Sequence, residues 1–322
     1  PTYTPTPLPP PSLSQKLLTT FSTAFLVSNS PNFNSTLQAI KSDLYNRNFN
    51  SAFGTEERRA AYAARWSAGR ALGYLQVFRD VGEYISETLE SRLLNEEAQN
   101  ELRAICLGGG AGAEVAALAG CGELESLEIT SSTPPTLVPS ELTLSLTAVD
   151  LADWSSTLQL LTSNLTHNLF RHCSHPPLTT KFLQHNLLQP LPTPISDTIQ
   201  HIHLVTLLFT LNELYTASLP QTQRFLFSLT ELARPGTLFL VVDSAGSYSE
   251  ISLGKGQKRK YPMAWLLDHT LLRKEDDDAD GHGNAEWEKL ESVGSRWFRL
   301  PAGLKYSIEL ENMRYQLHLY RR

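Results

Sequence analysis

The stretch "RAICLGGGAGAEVAALAG", residues 103–120, passes from an apolar segment through four glycines into alanine-rich text. Its first part reads as the opening strand of a parallel sheet, and "GAEVAALAG" as the start of the helix that follows. A strand-to-helix turn stripped of side chains at Gly108, Gly110 and Gly112 lets a ligand lie against main-chain N–H groups at a helix N-terminus. Gly109 and Glu114 share that turn and join the ligand-binding candidates. Read as GxGxG, the spacing suits S-adenosylmethionine. Read as GxGxxA, ending at Ala113, it permits a dinucleotide, and a bare turn also serves close helix packing with no ligand at all.

Downstream, short apolar runs alternate with helical text: "LTLSLTAVDL" (142–151), "TKFLQHNLL" (180–188), "HIHLVTLLFTL" (201–211) and "GTLFLVVDSA" (236–245). That alternation is the mark of a parallel sheet covered on both faces. The second strand ends in Asp150, where a carboxylate can accept both hydroxyls of an adenosine ribose. It lies further from the glycines than the usual ~20 residues, and the Pro/Ser/Thr-rich insert "TSSTPPTLVPSE" (130–141) accounts for most of the excess. The third strand ends near His185 and Asn186, either of which could pair with an adenine edge or simply hold a turn. The fourth stops at Thr210, Asn212 and Glu213, at the strand end where open α/β sheets place their ligands. Helix capping is the alternative use for Thr210 and Asn212. The fifth brings Asp243 and Ser244 to the equivalent rim, with Gly246 close behind. Finally, "RWFRLP" (296–301) and "YSIELENMRYQLHLYRR" (306–322) read as an antiparallel hairpin at the sheet edge. Together these features favour a methyl donor over a nicotinamide.

Upstream of the glycine turn the text is helical. Four segments, 12–27, 30–49, 55–81 and 85–102, carry apolar residues three and four apart and predict a small α-helical lobe over 12–102. Thr55, followed by Glu56 and Glu57, is a natural N-cap. Residues 1–11 form a Pro-rich lead-in without the basic and apolar regions of a signal peptide. Residues 103–322 then form the sheet domain, with a polar, acidic insertion near 273–291 read as a solvated surface loop.

Composition bounds the rest. A net charge of −6 and a pI near 5.9 exclude a surface that is everywhere attractive to nucleic acid, so any such contact is local. Cys106, Cys121 and Cys173 show no CxxC pairing, which argues against a disulfide framework and a zinc site. No apolar run reaches the ~18–20 residues of a membrane span.

"AICLGGGAGAE" (104–114), "FTLNELY" (209–215), "VVDSAGSYSE" (241–250), "KYPMAWLLDHTLL" (260–272) and "AYAARWSAGRALGY" (61–74) carry a family resemblance. Over residues 55–322 the chain resembles the fungal family of S-adenosylmethionine-dependent methyltransferases that includes the 25S ribosomal RNA uridine-N3 methyltransferase. The resemblance implies an α/β, class I Rossmann-like methyltransferase fold: a mostly parallel sheet with a C-terminal antiparallel hairpin, preceded by the helical lobe. It implies S-adenosylmethionine as cofactor and S-adenosylhomocysteine as product. Gly108, Gly110 and Gly112 would cradle the methionine part and Asp150 the ribose, with Asn186 and Thr210 also lining the cofactor. Asn212, Glu213 and Asp243 would face the acceptor.

For an RNA acceptor, Lys255, Lys258, Arg259 and Lys260 in the loop "GKGQKRKYP" (254–262), with Arg65 and Arg70 on a predicted helix, are the candidate phosphate contacts. Arg65, Trp66 and Arg70 could instead serve packing. A flipped uridine needs an aromatic platform, for which Tyr215, Tyr248, Tyr261 and Trp265 are candidates. The implied partners are rRNA or a pre-ribosomal particle and ribosome-assembly proteins, with no membrane and no metal. The chain is expected to act as a monomer in the nucleus or nucleolus, or in the cytoplasm. A methyltransferase-like scaffold without activity, or an enzyme acting on protein or a small molecule, is the alternative.

Overall fold

The computed structural model describes residues 6–26, 31–95, 101–131, 142–171, 173, 177–253, 257–272 and 286–322. The principal strands are β1 (Glu101–Leu107), β2 (Thr143–Asp150), β3 (Leu178–Gln184), β4 (Leu204–Leu208), β5 (Leu238–Ser244), β8 (Glu288–Phe298) and β9 (Met313–Arg321). A hairpin of β6 (Tyr248–Leu253) and β7 (Gln257–Pro262) stands apart. The main sheet runs β3-β2-β1-β4-β5-β9-β8. β2 with β3, β1 with β4 and β4 with β5 are parallel, whereas β5 with β9 is antiparallel. The strand order reverses at β1 and β4, which defines the switch point where such sheets bind ligands. β4 is buried at every position and β5 at all but its last, as expected for parallel strands covered on both faces.

The residues group into two compact units: Pro1–Leu102 with Gly109–Gln184 and Phe298–Met313, and Arg103–Gly108 with His185–Trp297 and Arg314–Arg322. In the first, α1 (Pro11–Ala24), α2 (Phe33–Tyr45), α3 (Phe49–Ala52), α4 (Glu56–Tyr62), α5 (Ala68–Asp80) and α6 (Gly82–Asn95) group with α7 (Ala113–Ser131), α8 (Ser155–Leu169), β2 and β3. The small residues of α7 explain the close packing of α1 and α5. A side chain at Gly120 would lie 3.3 Å from Leu75 and 3.4 Å from Leu17, and Ala116, Ala117 and Ala119 are fully buried.

Sequence periodicity predicts one helix over 55–81, and its N-cap is as expected: Thr55 Oγ1 accepts the Arg58 N–H. The helix is nevertheless interrupted by a π-helical turn, Ala63–Ser67. Tyr306 donates to the Ala64 carbonyl at 2.7 Å, and Arg65 within the turn pairs with Glu311. A side chain more than 200 residues away in sequence thus satisfies a carbonyl of the widened turn, and a second anchors its arginine.

The second unit holds most of β1, with β4, β5, β8 and β9, α9 (Thr193–Ile199), α10 (Leu211–Ala217), α11 (Leu219–Leu232) and α12 (Met263–Leu271). Three local expectations need correction. Strand β8 begins at Glu288, and Trp287 is buried, its Nε1–H donating to Thr230 Oγ1 at 2.8 Å, so the acidic insertion stops short of 291. The text at 306–310 is not strand, and β9 starts only at Met313. The basic segment foreseen as a loop is largely strand β7, with Lys258, Arg259 and Lys260 opposite Ser252, Ile251 and Glu250.

Candidate functional site

Two groups of residues, one in each unit, hold the candidate side chains. The first surrounds the glycine turn and the end of β2. Gly108 and Gly112 have φ of +77° and +79°, in the left-handed region that glycine alone adopts freely. At Gly110 the demand is for space: a Cβ there would lie 2.3 Å from Trp154 Cδ1 and 2.7 Å from Asp150 Cβ. The glycine-rich turn is thereby pressed against the carboxylate, and the Gly110 N–H donates to Asp150 Oδ2 at 3.1 Å. Ala152 N–H donates to Oδ1 at 3.3 Å. Glu114 is buried in the first turn of α7.

Asp150 keeps part of its surface accessible, yet protein atoms crowd it on most sides. Burial pushes its carboxyl up to about 6 against the opposing pull of the Gly110 and Ala152 amides. Desolvation wins because no cation stands among those causes, and the Gly110, Ala152 and Leu151 amides with the Trp154 indole compensate the lost hydration only in part. An aromatic wall stands beside it. Trp154 lies 4.9 Å from Phe53 and 5.7 Å from Tyr62, between ring centroids, and Tyr62 lies 5.0 Å from Trp66. Sequence reading missed Phe53, Tyr62 and Trp154, whose only local signal is aromaticity. A partly accessible carboxylate is chemically suited to a ribose hydroxyl pair, while Trp154 itself is buried and serves packing.

The second group lies at the ends of β4 and β5. Phe209, the first residue past β4, has φ +55°, a strained conformation for a bulky side chain. Thr210 occupies the N-cap position of α10, but its hydroxyl turns back to donate to the Leu208 carbonyl at 3.2 Å. Capping comes instead from β5: buried Asp243 accepts the Asn212 N–H at 3.0 Å and the Ser244 N–H at 2.7 Å. A side chain at Gly108 would strike Thr210 Oγ1 at 2.2 Å, so the glycine is required by this neighbour as well. Asn212 Oδ1 is buried and has no hydrogen-bond partner among the described residues. Glu213 is half-buried in the first turn of α10.

Behind the β5 rim runs a polar chain that the sequence did not disclose. Gln316 Nε2–H donates to the Ser244 carbonyl at 2.8 Å, His318 Nε2 lies 3.1 Å from Gln316 Oε1, and Ser292 Oγ lies 3.0 Å from His318 Nδ1. Burial pushes the imidazole down to about 4, so His318 is neutral. The Gln316 oxygen then assigns the proton to Nε2, and the Ser292 hydroxyl donates to Nδ1.

The remaining candidates divide sharply. Asn186 Oδ1 accepts the Leu188 N–H at 3.0 Å, which commits the carbonyl end of its side chain to a turn. Arg65 is almost fully buried, paired with Glu311 and 5.7 Å from the Trp66 ring centroid. Arg70 donates to Tyr62 Oη at 2.7 Å. Both arginines are thus engaged within the first unit. Lys255 lies outside the described residues, and of Lys258, Arg259, Lys260 and Tyr248 only the backbone is described. Tyr215 is core, its phenol pushed up by burial, whereas Trp265 is half-exposed and stacks with Tyr261. Among the described residues, no group of His, Cys, Asp and Glu could hold a metal ion, and no helix is long and apolar enough to cross a membrane.

Strand order, a glycine turn after β1 and an acidic end to β2 together define a Rossmann-like class I methyltransferase. A family described as "Putative SAM-dependent methyltransferase" matches residues 20–321, and the chain belongs to it. The chain is 34% identical over 292 residues to the 25S rRNA (uridine(2843)-N(3))-methyltransferase of Saccharomyces cerevisiae, covering 88% of this chain and 76% of that protein. Among solved structures, a SAM-dependent methyltransferase from Methanosarcina mazei is 10% identical, with a TM-score of 0.40 over 72% of this chain and 96% of its own. One from Clostridium acetobutylicum is 10% identical, with a TM-score of 0.34 over 74% and 91%. Likeness at that level carries no weight, and the fold rests on the strand order and the family match. The methyl donor is S-adenosylmethionine.

Proposed function

We propose that the protein methylates N3 of a uridine in large-subunit ribosomal RNA, acting on rRNA or a pre-ribosomal particle in the nucleus. The observation that carries the acceptor is the 34% identity to the yeast uridine-N3 enzyme over most of both chains. Residues 103–322 are read as the catalytic part and 12–102 as a helical addition.

Asp150 fits the cofactor because it is a partly accessible, desolvated carboxylate that gains from hydroxyl donors. It is assigned to the ribose, the turn from Gly108 to Gly112 with Glu114 to the methionine part, and Thr210 and Asn186 to the lining. Bound there, S-adenosylmethionine supplies a methyl group activated by its sulfonium. Uridine N3 must lose its proton as it is methylated, so the chain has to orient the imide and accept that proton. Asn212, in the first turn of α10, is assigned to face the acceptor. Glu213 is assigned to take the proton, while Asp243 positions α10 through the Asn212 amide. Lys255, Lys258, Arg259 and Lys260 are assigned to RNA phosphates. The engagement of Arg65 and Arg70 favours packing for both.

Calorimetric titration with S-adenosylmethionine, S-adenosylhomocysteine and NAD, followed by nucleoside mass spectrometry of rRNA treated with the enzyme, tests the reading. Binding of the first two ligands and appearance of N3-methyluridine are expected. Methylation of another base, or of protein alone, overturns the acceptor.

A further inference from the structure

Helix α12 buries Met263, Leu266, Leu267, Thr270 and Leu271, and these account for its packing. Trp265 and His269, one turn apart, lie on the opposite face, and both are exposed, the indole at 49%. Tyr261, just before the N-cap Pro262, completes a ladder. Its ring centroid lies 5.0 Å from that of Trp265 with planes 22° apart, and Trp265 lies 5.2 Å from His269 with planes 4° apart. Three near-parallel rings at the surface are not needed by the core. The other half-exposed tryptophan, Trp297, differs in having the Arg314 guanidinium 5.9 Å from its ring centroid.

The charges next to the ladder favour one occupant. Lys255, Lys258, Arg259 and Lys260 immediately precede Tyr261 in sequence. Asp268, on the shoulder of the ladder, is neutralised by Lys289 at 2.7 Å and accepts a hydrogen bond from Tyr320. The β7 segment is the basic stretch that leads into the ladder and is the one suited to the backbone of a polyanion. We infer that Tyr261, Trp265 and His269 form a stacking platform for unpaired RNA bases, with the basic β7 segment contacting their phosphates. Stacking on aromatic rings beside cations is the usual physics of single-strand binding, and it tolerates any base. The inference rests on the RNA methyltransferase reading and adds where the strand flanking the target would lie.

The test uses the full chain and a fluorescein-labelled oligouridine 12-mer, read by anisotropy across a salt series, with melting temperature checked for each variant. Trp265→Ala should weaken binding about 5- to 150-fold, Trp265→Tyr should restore most of it, and Trp297→Ala should change it little. Replacing Lys258, Arg259 and Lys260 by Gln should lower the salt slope by about 2. Unchanged affinity in Trp265→Ala, equal loss in Trp297→Ala, or capture of a protein and not the oligonucleotide through Trp265 would overturn the platform. S-adenosylmethionine binding and rRNA methylation by the same proteins separate the two claims. Normal methylation with a Trp265→Ala variant of unaltered RNA affinity sinks the platform alone. Ladder-dependent RNA binding without N3-methyluridine sinks the enzyme reading alone.

Discussion

Two aspartates end parallel strands of the same sheet, and they have opposite uses. Asp150 closes β2, where it accepts amides from Gly110 and Ala152 yet remains partly accessible beside Trp154. Asp243, near the end of β5, is buried and accepts the amides of Asn212 and Ser244, one of them in the first turn of α10. Both are carboxylates held by main-chain N–H groups. The first keeps part of its surface open beside the glycine turn, whereas the second is buried and ties α10 to β5. The two strand-end acids thus differ in exposure more than in hydrogen bonding.

The sharpest way to break this contrast is to remove each side chain in turn. Asp243→Ala leaves two N–H groups without their acceptor and should lower the free energy of unfolding by about 2–4 kcal/mol, read by urea denaturation. Asp150→Ala should instead weaken S-adenosylmethionine binding by about 1.5–3 kcal/mol, roughly 10- to 150-fold, in calorimetry. If Asp243→Ala kept its stability while Asp150→Ala lost it, the two roles would be exchanged.

A smaller effect sharpens the comparison through pH. Ribose hydroxyls favour the charged form of Asp150, so its carboxyl in the complex lies below the value of about 6 in the free protein. Affinity is then full above pH 6 and falls as pH drops through it, by at most tenfold per unit, with protons released on binding near pH 6 and none at pH 8. Titration in buffers of different ionisation enthalpy reads that release directly. The same shift bears on folding with the opposite sense. The folded carboxyl sits above its ordinary value of 3.8, so its stabilising contribution is complete below that value and is lost as pH rises through 6. The stability of Asp150→Ala relative to the parent should therefore improve as pH rises from about 4 to 7, and a difference that does not change with pH would show that the carboxylate is not strained. The smallest expected change is at the π turn. Tyr306→Phe removes the bond to the Ala64 carbonyl and should cost about 1 kcal/mol, visible as a shift in the urea midpoint.

What could be read beforehand follows from the range of the interactions involved. The glycine turn, Asp150 at a strand end and the buried runs of β4 and β5 carry their signals within a few residues. The use of Asp243 as a cap does not, because its partner amide lies 31 residues away and Thr210 or Asn212 reads as the local cap. The π turn likewise depends on Tyr306 and Glu311, which no local pattern links to Ala64 and Arg65. The early part of β8 was masked by its own chemistry. It is the last strand of the sheet, and "EKLES" carries the charges that guard an edge against further pairing, so it reads as loop. The basic β7 hairpin escaped for a similar reason, since lysine and glycine are poor strand formers.

The position of β9 between β5 and β8 governs how the chain comes into being. Biosynthesis delivers β5 some 70 residues before the strand that pairs with its far side, from Leu238 opposite Arg321 to Ser244 opposite Tyr315. Until then a strand with five consecutive apolar residues, Leu238 to Val242, has one bare edge, the kind of surface that recruits chaperones and aggregates. A nonsense mutation between Ser244 and Met313 would freeze the protein in that vulnerable form, so even late truncations should behave as losses of the whole molecule.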